Sequence, residues 1–179
     1  MEKSELVKKS INGDVQAFER LVKDESEKLY KTAILYVRNK EDALDILQES
    51  IYKAFISMNQ LKQPEYFNTW LTRILIHTSY DFLRKRKKIV LDENVMHEVS
   101  EVNDQDIEGR IDLLNAVTKL NKNYQTVIIL FYYHDLPINQ IAETMGTPQN
   151  TVKTYLRRAK MELKNLIEGV RNCEKRAFR

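Results

Sequence analysis

Cysteine, glycine and proline are scarce in this sequence of 179 residues, and the scarcity of cysteine excludes a disulfide framework, because Cys173 is alone. The three histidines, His77, His97 and His134, are scattered, and no glycine-rich phosphate loop accompanies them. The sequence therefore predicts neither an enzyme nor a bound metal or cofactor. No apolar run approaches the ~20 residues of a membrane span, and the first residues have no apolar signal core. We expect a cytoplasmic protein with no membrane insertion of its own.

Charge is segregated along the chain, although the net charge is only +3. Residues 84–88 are an unbroken run of Arg and Lys. Residues 92–108 contain seven carboxylates and no Lys or Arg, whereas residues 148–179 contain nine Lys or Arg and three Glu. Alternating basic and acidic blocks predict partners of both signs.

Helical periodicity with few breakers predicts an all-α fold. Only 4 glycines and 3 prolines interrupt a chain rich in Leu, Ile, Lys and Glu, which is typical of helices with short connections. The periodicity lapses in the acidic segment between two periodic regions. We predict two small helical domains, residues 1–88 and 111–170, joined by a flexible acidic linker at residues 89–110 and followed by a basic tail at residues 171–179.

The second predicted domain contains a helix-turn-helix pattern at residues 136–163. Gly146 supplies the turn, because a residue without Cβ can take a positive φ. Thr147 is the expected N-cap of the second helix, and Pro148 its first residue. The apolar faces of the two helices are formed by Ile138, Ile141, Ala142 and Met145, and by Val152, Leu156, Ala159 and Leu163.

The other face of this second helix is polar and cationic. Asn150, Thr154, Arg157 and Arg158 point away from the apolar stripe, and Lys153 lies on its flank. Amide and guanidinium groups can bond base edges while cations bind phosphates, so the face fits a DNA major groove. The alternative is an ordinary helical hairpin with a solvated basic face. The turn glycine, the cap and the polar face together favour the helix-turn-helix.

In the first domain, Asp42, Asp45 and Glu49 recur at i, i+3 and i+7, so three carboxylates project from one helical face beside Gln48. Periodicity alone favours a solvated acidic face. The functional interpretation is a docking surface for a basic protein. The residues expected to face the core on the other side are Ala43, Leu44 and Leu47.

Tyr66, Phe67 and Trp70 lie at or just before the start of a predicted helix, residues 67–87, that ends in the basic run. Aromatic rings can stack on an unpaired base while cations hold the backbone, so this segment suits single-stranded DNA. Trp70 fits the core as well as it fits a ligand. The loop residues Tyr66 and Asn68 and the basic residues 84–88 are the better candidates.

Three blocks in this order and spacing resemble the extracytoplasmic-function (ECF) sigma factors of bacterial RNA polymerase. The blocks are DALDILQES followed by AF, FNTWLTRI followed by DFLRK, and GTPQNTVKTYLRRAKMEL. The resemblance covers nearly everything from residue 15 to residue 167. It implies an alternative sigma factor that binds core RNA polymerase, directs it to specific promoter DNA and initiates transcription, commonly in a stress response. It also implies an anti-sigma factor as partner.

The resemblance assigns a role to each block. The first is similar to the helix that docks on the clamp of the largest polymerase subunit, the second to the element that opens the minus-ten element and captures an unstacked base, and the third to the reader of the minus-thirty-five element. The acidic linker is similar to one that threads toward the polymerase active site. The implied polymerase contacts are Asp42, Asp45, Gln48 and Glu49. The implied minus-ten contacts are Tyr66, Phe67, Asn68, Trp70, His77, Arg84 and Lys85. The implied minus-thirty-five contacts are Asn150, Lys153, Thr154, Arg157 and Arg158.

The sequence departs from the family pattern at two places. His77 stands where the family most often has Asn, and Thr154-Tyr155 stands where Ser-Arg is common. A self-sufficient helix-turn-helix regulator with an N-terminal sensor or dimerisation domain is the alternative function. The acidic helix and the aromatic-basic segment favour the sigma factor, because a simple repressor needs neither.

Overall fold

The computed structural model describes the backbone of residues 2–93 and 108–177 and the side chains of residues 2–86 and 113–168. These residues form helices and no strand, which confirms the all-α prediction. The helices are α1 (Lys3–Ile11), α2 (Val15–Val37), α3 (Lys40–Ser57), α4 (Phe67–Glu93), α5 (Glu108–Lys119), α6 (Lys122–Ile128), α7 (Ile138–Met145) and α8 (Gln149–Ala177). The chain forms two compact units, α1 to α4 and α5 to α8.

Local side-chain caps define the helix starts in the first unit. The Asp14 carboxylate accepts a hydrogen bond from the Ala17 N–H (3.0 Å) at the start of α2. The Asn39 side-chain oxygen accepts one from the Asp42 N–H (2.9 Å) at the start of α3. Each cap satisfies a backbone donor that the first turn of a helix leaves unpaired. The chain can therefore reverse between α2 and α3 over only two residues, Arg38 and Asn39.

The core of the first unit lies between α2, α3 and α4, with α1 packed on α2. Its largest fully buried side chains include Leu21, Ile46, Phe67, Leu71 and Leu75. Three buried hydroxyls in this core donate to backbone carbonyls one turn earlier in their own helices, which satisfies these donors locally. The donors are Thr32 to Lys28 O (2.7 Å), Ser50 to Ile46 O (2.6 Å) and Ser79 to Leu75 O (2.8 Å).

Helix α4 continues to Glu93, six residues past the predicted end at Lys87. The first residues of the predicted linker are therefore helical, and residues 94–107 lie outside the described part of the chain. The end of α8 at Ala177 likewise extends into the predicted basic tail. The predicted domain boundaries stay predictions. None of the helices that the structure describes is long and apolar enough to cross a membrane.

The second unit contains an irregular turn between α6 and α7. Residues 129–133 form a π-helical turn, in which the His134 N–H donates to Ile129 O (3.1 Å), and the Leu136 N–H then donates to Leu130 O (3.0 Å). Asp135 takes a left-handed conformation, with φ of 54°. The turn ends the preceding helix and lets α7 pack against α8.

Candidate functional site

The turn between α7 and α8 has the geometry that the sequence predicts for a helix-turn-helix. Gly146 has φ of 61°, a left-handed conformation that glycine adopts without steric cost. Its N–H donates to Glu143 O (3.3 Å), and the Thr147 N–H donates to Ala142 O (3.0 Å). These two bonds form a Schellman motif, which satisfies the last carbonyls of α7. The turn thereby fixes the start of α8.

The expected N-cap at Thr147 is wrong. The first acceptor of α8 is the Pro148 carbonyl, which receives the N–H groups of Thr151 (2.9 Å) and Val152 (3.1 Å). The Thr147 hydroxyl oxygen is buried and has no hydrogen-bond partner among the described residues. The Thr147 hydroxyl therefore caps no N–H of α8, which begins at Gln149, one residue later than the sequence pattern indicates.

The polar face of α8 is open to solvent. Val152, Leu156 and Ala159 are buried on the inner side. The side chains of Asn150, Lys153, Arg157 and Arg158 are exposed, and that of Thr154 is half-buried. The Thr154 hydroxyl donates to Asn150 O (2.9 Å), so its methyl group is the freer part of the side chain. This arrangement leaves one amide and three cations available to a ligand.

Two residues beside this polar face make contacts that the sequence pattern did not indicate. Tyr155, at one of the two family departures, packs its ring against Tyr124 of α6 with ring centroids 5.8 Å apart. Met161 is 57% exposed and lies beside the Arg157 guanidinium at 4.0 Å. Met161 recurs with Asn150, Thr154 and Arg157 at helical spacing, and this spacing was the signal that could have revealed it.

The aromatic segment at the start of α4 and in the turn before it contains exposed and buried residues. Tyr66, at the end of a single 3-10 turn (Pro64–Tyr66), is 44% exposed, and Asn68 is exposed. Phe67 is only 1% exposed and lies in the core, so it is not available to a ligand in this structure. Trp70 is half-buried, with its ring centroid 6.1 Å from that of Phe67. Phe67 therefore supports the indole rather than extending the binding surface.

Trp70, Arg73 and His77 follow one another along α4 at spacings of three and four residues. Arg73 and His77 are exposed, and Arg73 is not among the site residues that the sequence predicts. Partial burial lowers the pKa of His77, the Arg73 charge lowers it further, and the Asp81 carboxylate opposes both effects. The ring is therefore predominantly neutral at pH 7, and it offers one hydrogen-bond donor and one acceptor instead of a positive charge.

The basic end of α4 separates into two kinds of residue. Arg84 and Lys85 are exposed, and Arg84 forms an ion pair with Asp81 one turn earlier (3.1 Å). Arg86 turns toward α3, where its guanidinium lies 2.7 Å from the Asp42 carboxylate. The side chains of the other two residues of the basic run lie outside the described residues.

The four predicted docking residues on α3 also differ in whether their side chains face the solvent or another helix. Asp45, Gln48 and Glu49 are exposed, and Glu49 pairs with Lys53 on the same helix (2.7 Å). Asp42 points toward Arg86 and is only 23% exposed. The structure thus brings three of the four residues to one open face and directs the fourth against α4.

The same face of α3 also contains exposed apolar side chains, one of which was predicted to lie in the core. Leu44 is 47% exposed, so its expected core position is wrong, whereas Ala43 and Leu47 are buried as expected. Tyr52 and Ile56 are more exposed still. A cluster of exposed apolar residues next to acids is typical of a protein-binding surface rather than of an ordinary solvated helix. The signal in the sequence was an apolar pattern on both sides of one helix.

No group of three or more His, Cys, Asp or Glu side chains gathers as metal ligands would in the part of the chain that the structure describes. The chemistry that these surfaces offer is hydrogen bonding, charge and ring stacking. They are suited to binding, on α3 to a protein and on α4 and α8 to nucleic acid.

Solved structures with the same fold include two protein complexes. The structure of CnrH in complex with the cytosolic domain of CnrY matches with a TM-score of 0.71 at 21% identity, over 93% of this chain and 97% of that one. The sigma factor RpoE in complex with the anti-sigma factor NepR from Bartonella quintana matches with a TM-score of 0.75 at 23% identity, over 86% and 98%. At these identities the likeness shows the fold.

Sequence comparison shows the family. Residues 21–89 match Sigma-70 region 2, and residues 110–163 match Sigma-70, region 4. RNA polymerase sigma factor SigV of Bacillus subtilis (strain 168) is 42% identical over 139 residues, which cover 77% of this chain and 83% of that protein. ECF RNA polymerase sigma factor SigW of the same organism is 30% identical over 92% of this chain and 96% of that protein. The chain therefore belongs to the ECF sigma factors of bacterial RNA polymerase.

Proposed function

We propose that this protein is a dissociable promoter-specificity subunit that acts only together with core RNA polymerase. The observation that carries the proposal is the open face of α3, where Asp45 and Glu49 lie beside exposed Leu44, Tyr52 and Ile56. A basic and partly apolar surface on the polymerase would complement it.

The DNA contacts that we propose lie on α4 and α8. On α8 the candidates for the minus-thirty-five element are Asn150, Lys153, Thr154, Arg157 and Arg158. On α4 and the turn before it, the candidates for the minus-ten element are Tyr66, Asn68, Trp70, His77, Arg84 and Lys85. We leave Phe67 out of this set because its side chain is buried and packs against Trp70. The polymerase contacts are Asp45, Gln48 and Glu49.

We also propose an anti-sigma partner and a cytoplasmic location. The two structural relatives were solved in complex with an anti-sigma factor or with a cytosolic domain, and the exposed apolar residues of α3 offer such a partner a surface in the absence of polymerase. The location follows from the partners, since promoter DNA and core polymerase are both cytoplasmic in bacteria.

Footprinting on a promoter with and without core enzyme tests the proposed function. A helix that reads a few base pairs on one small unit should bind DNA weakly and with a steep dependence on salt. We therefore expect no sequence-specific protection by the protein alone, and protection of both promoter elements once core enzyme is added. Specific protection without core enzyme would instead favour the self-sufficient regulator.

A further inference from the structure

One ion pair joins the two functional helices of the first unit. The Arg86 guanidinium on α4 lies 2.7 Å from the Asp42 carboxylate on α3, although 44 residues separate them in the sequence. The two side chains are 34% and 23% exposed, which is less than for the other ion pairs along single helices of this unit. The pair therefore connects two elements, whereas pairs such as Arg84 with Asp81 only span one turn of a helix.

Asp42 is fixed through its backbone as well as through its side chain. Its N–H donates to the Asn39 side-chain oxygen (2.9 Å), which fixes the residue in the first turn of α3. A carboxylate in that turn is also favoured by the partial positive charge of the helix N-terminus. The position of Asp42 is thus set by its own helix, and Arg86 is the residue that must reach it.

We propose that Asp42 and Arg86 form a brace that sets how the basic end of α4 is presented, and that neither residue is a direct contact to polymerase or DNA. The proposal rests on the proposed function. Successive residues of a helix point about 100° apart, so holding Arg86 against α3 also fixes the direction of Arg84 and Lys85, which are exposed. The brace keeps these two cations in a constant position relative to the docking face of α3. Docking on the polymerase then places the strand-binding cations as well.

A double-mutant cycle tests the brace. The variants are Asp42→Asn, Arg86→Gln and the two combined, each assembled with core polymerase at saturation. We measure affinity for core enzyme and the rate of open-complex formation on a duplex promoter. Each single variant should slow open-complex formation roughly three- to tenfold while core affinity stays within about twofold of wild type. The combined variant should be no slower than the slower single variant, because the two residues act as a unit.

Three results would overturn the brace. If Asp42→Asn lowered core affinity, Asp42 would be a polymerase contact. If the two effects multiplied, to roughly ten- to a hundredfold in the combined variant, the residues would act independently. If neither single variant changed the rate, the pair would have no functional role. A wild-type protein that did not bind core polymerase at all would refute the proposed function instead.

Two sets of controls keep a folding defect from imitating the expected result. The conservative variants Arg86→Lys and Asp42→Glu keep the charges, so they should recover at least half of the wild-type rate. Replacing the exposed ion pair of α2, by Glu27→Gln with Lys31→Gln, removes a surface pair of equal charge that lies on another helix. This control should leave the rate and the core affinity unchanged. All variants are compared below the lowest of their melting temperatures.

Discussion

Reversing the charge of Asp45 is the most direct perturbation of the proposed polymerase-docking surface. Asp45 lies in the middle of α3, and its exposed side chain forms no hydrogen bond or ion pair with any residue that the structure describes. Its replacement by Arg should therefore leave the folded protein nearly unaffected. Surface substitutions of this kind usually change the free energy of unfolding by about 0.5 kcal/mol or less, which is ~2–4 °C in the melting temperature of a unit of this size.

The effect on polymerase binding should be far larger. If Asp45 faces basic residues of the polymerase, the Asp45→Arg variant replaces an attraction by a repulsion. A change in a buried charge pair of an interface costs about 2–5 kcal/mol, whereas a change at the rim mainly slows association. At 1.4 kcal/mol for each factor of ten, the lower limit corresponds to a roughly thirtyfold loss of affinity.

Both quantities are measured on one preparation, the melting temperature by thermal unfolding and the affinity by titration with labelled core polymerase. The matched control is Asp24→Arg, which reverses an exposed carboxylate on α2 away from this face. We expect the control to retain wild-type affinity. Unchanged core affinity of the Asp45→Arg variant would reject the docking role of α3. A large fall in its melting temperature would show that Asp45 is structural.

Four further predictions address the DNA-binding residues and the turn. Arg157→Ala should cost ~1–3 kcal/mol in promoter binding and relax the preference at one position of a minus-thirty-five library; equal transcription across the library would show that the assigned face is wrong. Asn68→Ala should impair initiation on duplex promoters much more than on pre-melted ones, because extruding a base costs a few kcal/mol; equal losses would indicate a folding defect. Gly146→Ala should lower the free energy of unfolding by ~1–2 kcal/mol in urea titrations through backbone strain alone, because a Cβ there meets no atom within 4 Å. The pKa of His77 is lowered below 6.5 in the folded protein, so the neutral ring favours the folded state above that pH, and this stability is lost as the pH falls through the lowered pKa. The variant His77→Gln does not titrate, so its melting temperature should fall less between pH 7 and pH 5.

Local chemistry made part of the fold predictable. The turn at Gly146 depends on one residue type that tolerates a positive φ, and the two helices on either side follow from apolar spacing. The same local reasoning failed one residue later, at Thr147. A Thr-Pro pair is a good start for a helix in isolation, but here the Thr147 N–H is bound to Ala142 O as part of the preceding turn. This turn engages only the N–H of Thr147, and the position of its hydroxyl, which caps nothing here, is not determined by the residue type alone.

Contacts between distant segments were not predictable in the same way. Periodicity divides α3 into faces, but it does not say how wide the buried stripe is. The packing of α2 and α4 covers Ala43 and Leu47 and leaves Leu44 open. The pairing of Asp42 with Arg86 depends on the relative position of two helices, so a pattern within either helix could not reveal it. Phe67 is a similar case, because a Tyr-Phe pair does not show which ring faces the core.

Whether a charged side chain faces another helix or the solvent decides how many charges of a charged run a ligand can contact. The sequence predicts that the basic run at residues 84–88 binds a DNA strand, and the structure describes the side chains of its first three residues. If all three cations neutralised a phosphate of a single strand, the logarithm of the binding constant would fall with the logarithm of the salt concentration with a slope of about 2.1, at ~0.7 for each phosphate. Arg86 is paired with Asp42 and is partly buried, whereas Arg84 is 80% exposed despite its pair with Asp81 and Lys85 is exposed. With these two cations as the contacts, the slope falls to about 1.4. The acids of α3 differ in the same way, because the Asp42 carboxylate is ion-paired with Arg86, whereas no ion pair joins Asp45 to another described residue. An ion pair between helices therefore removes one charge from each of two binding surfaces at once, and it connects the positions of the charges that remain.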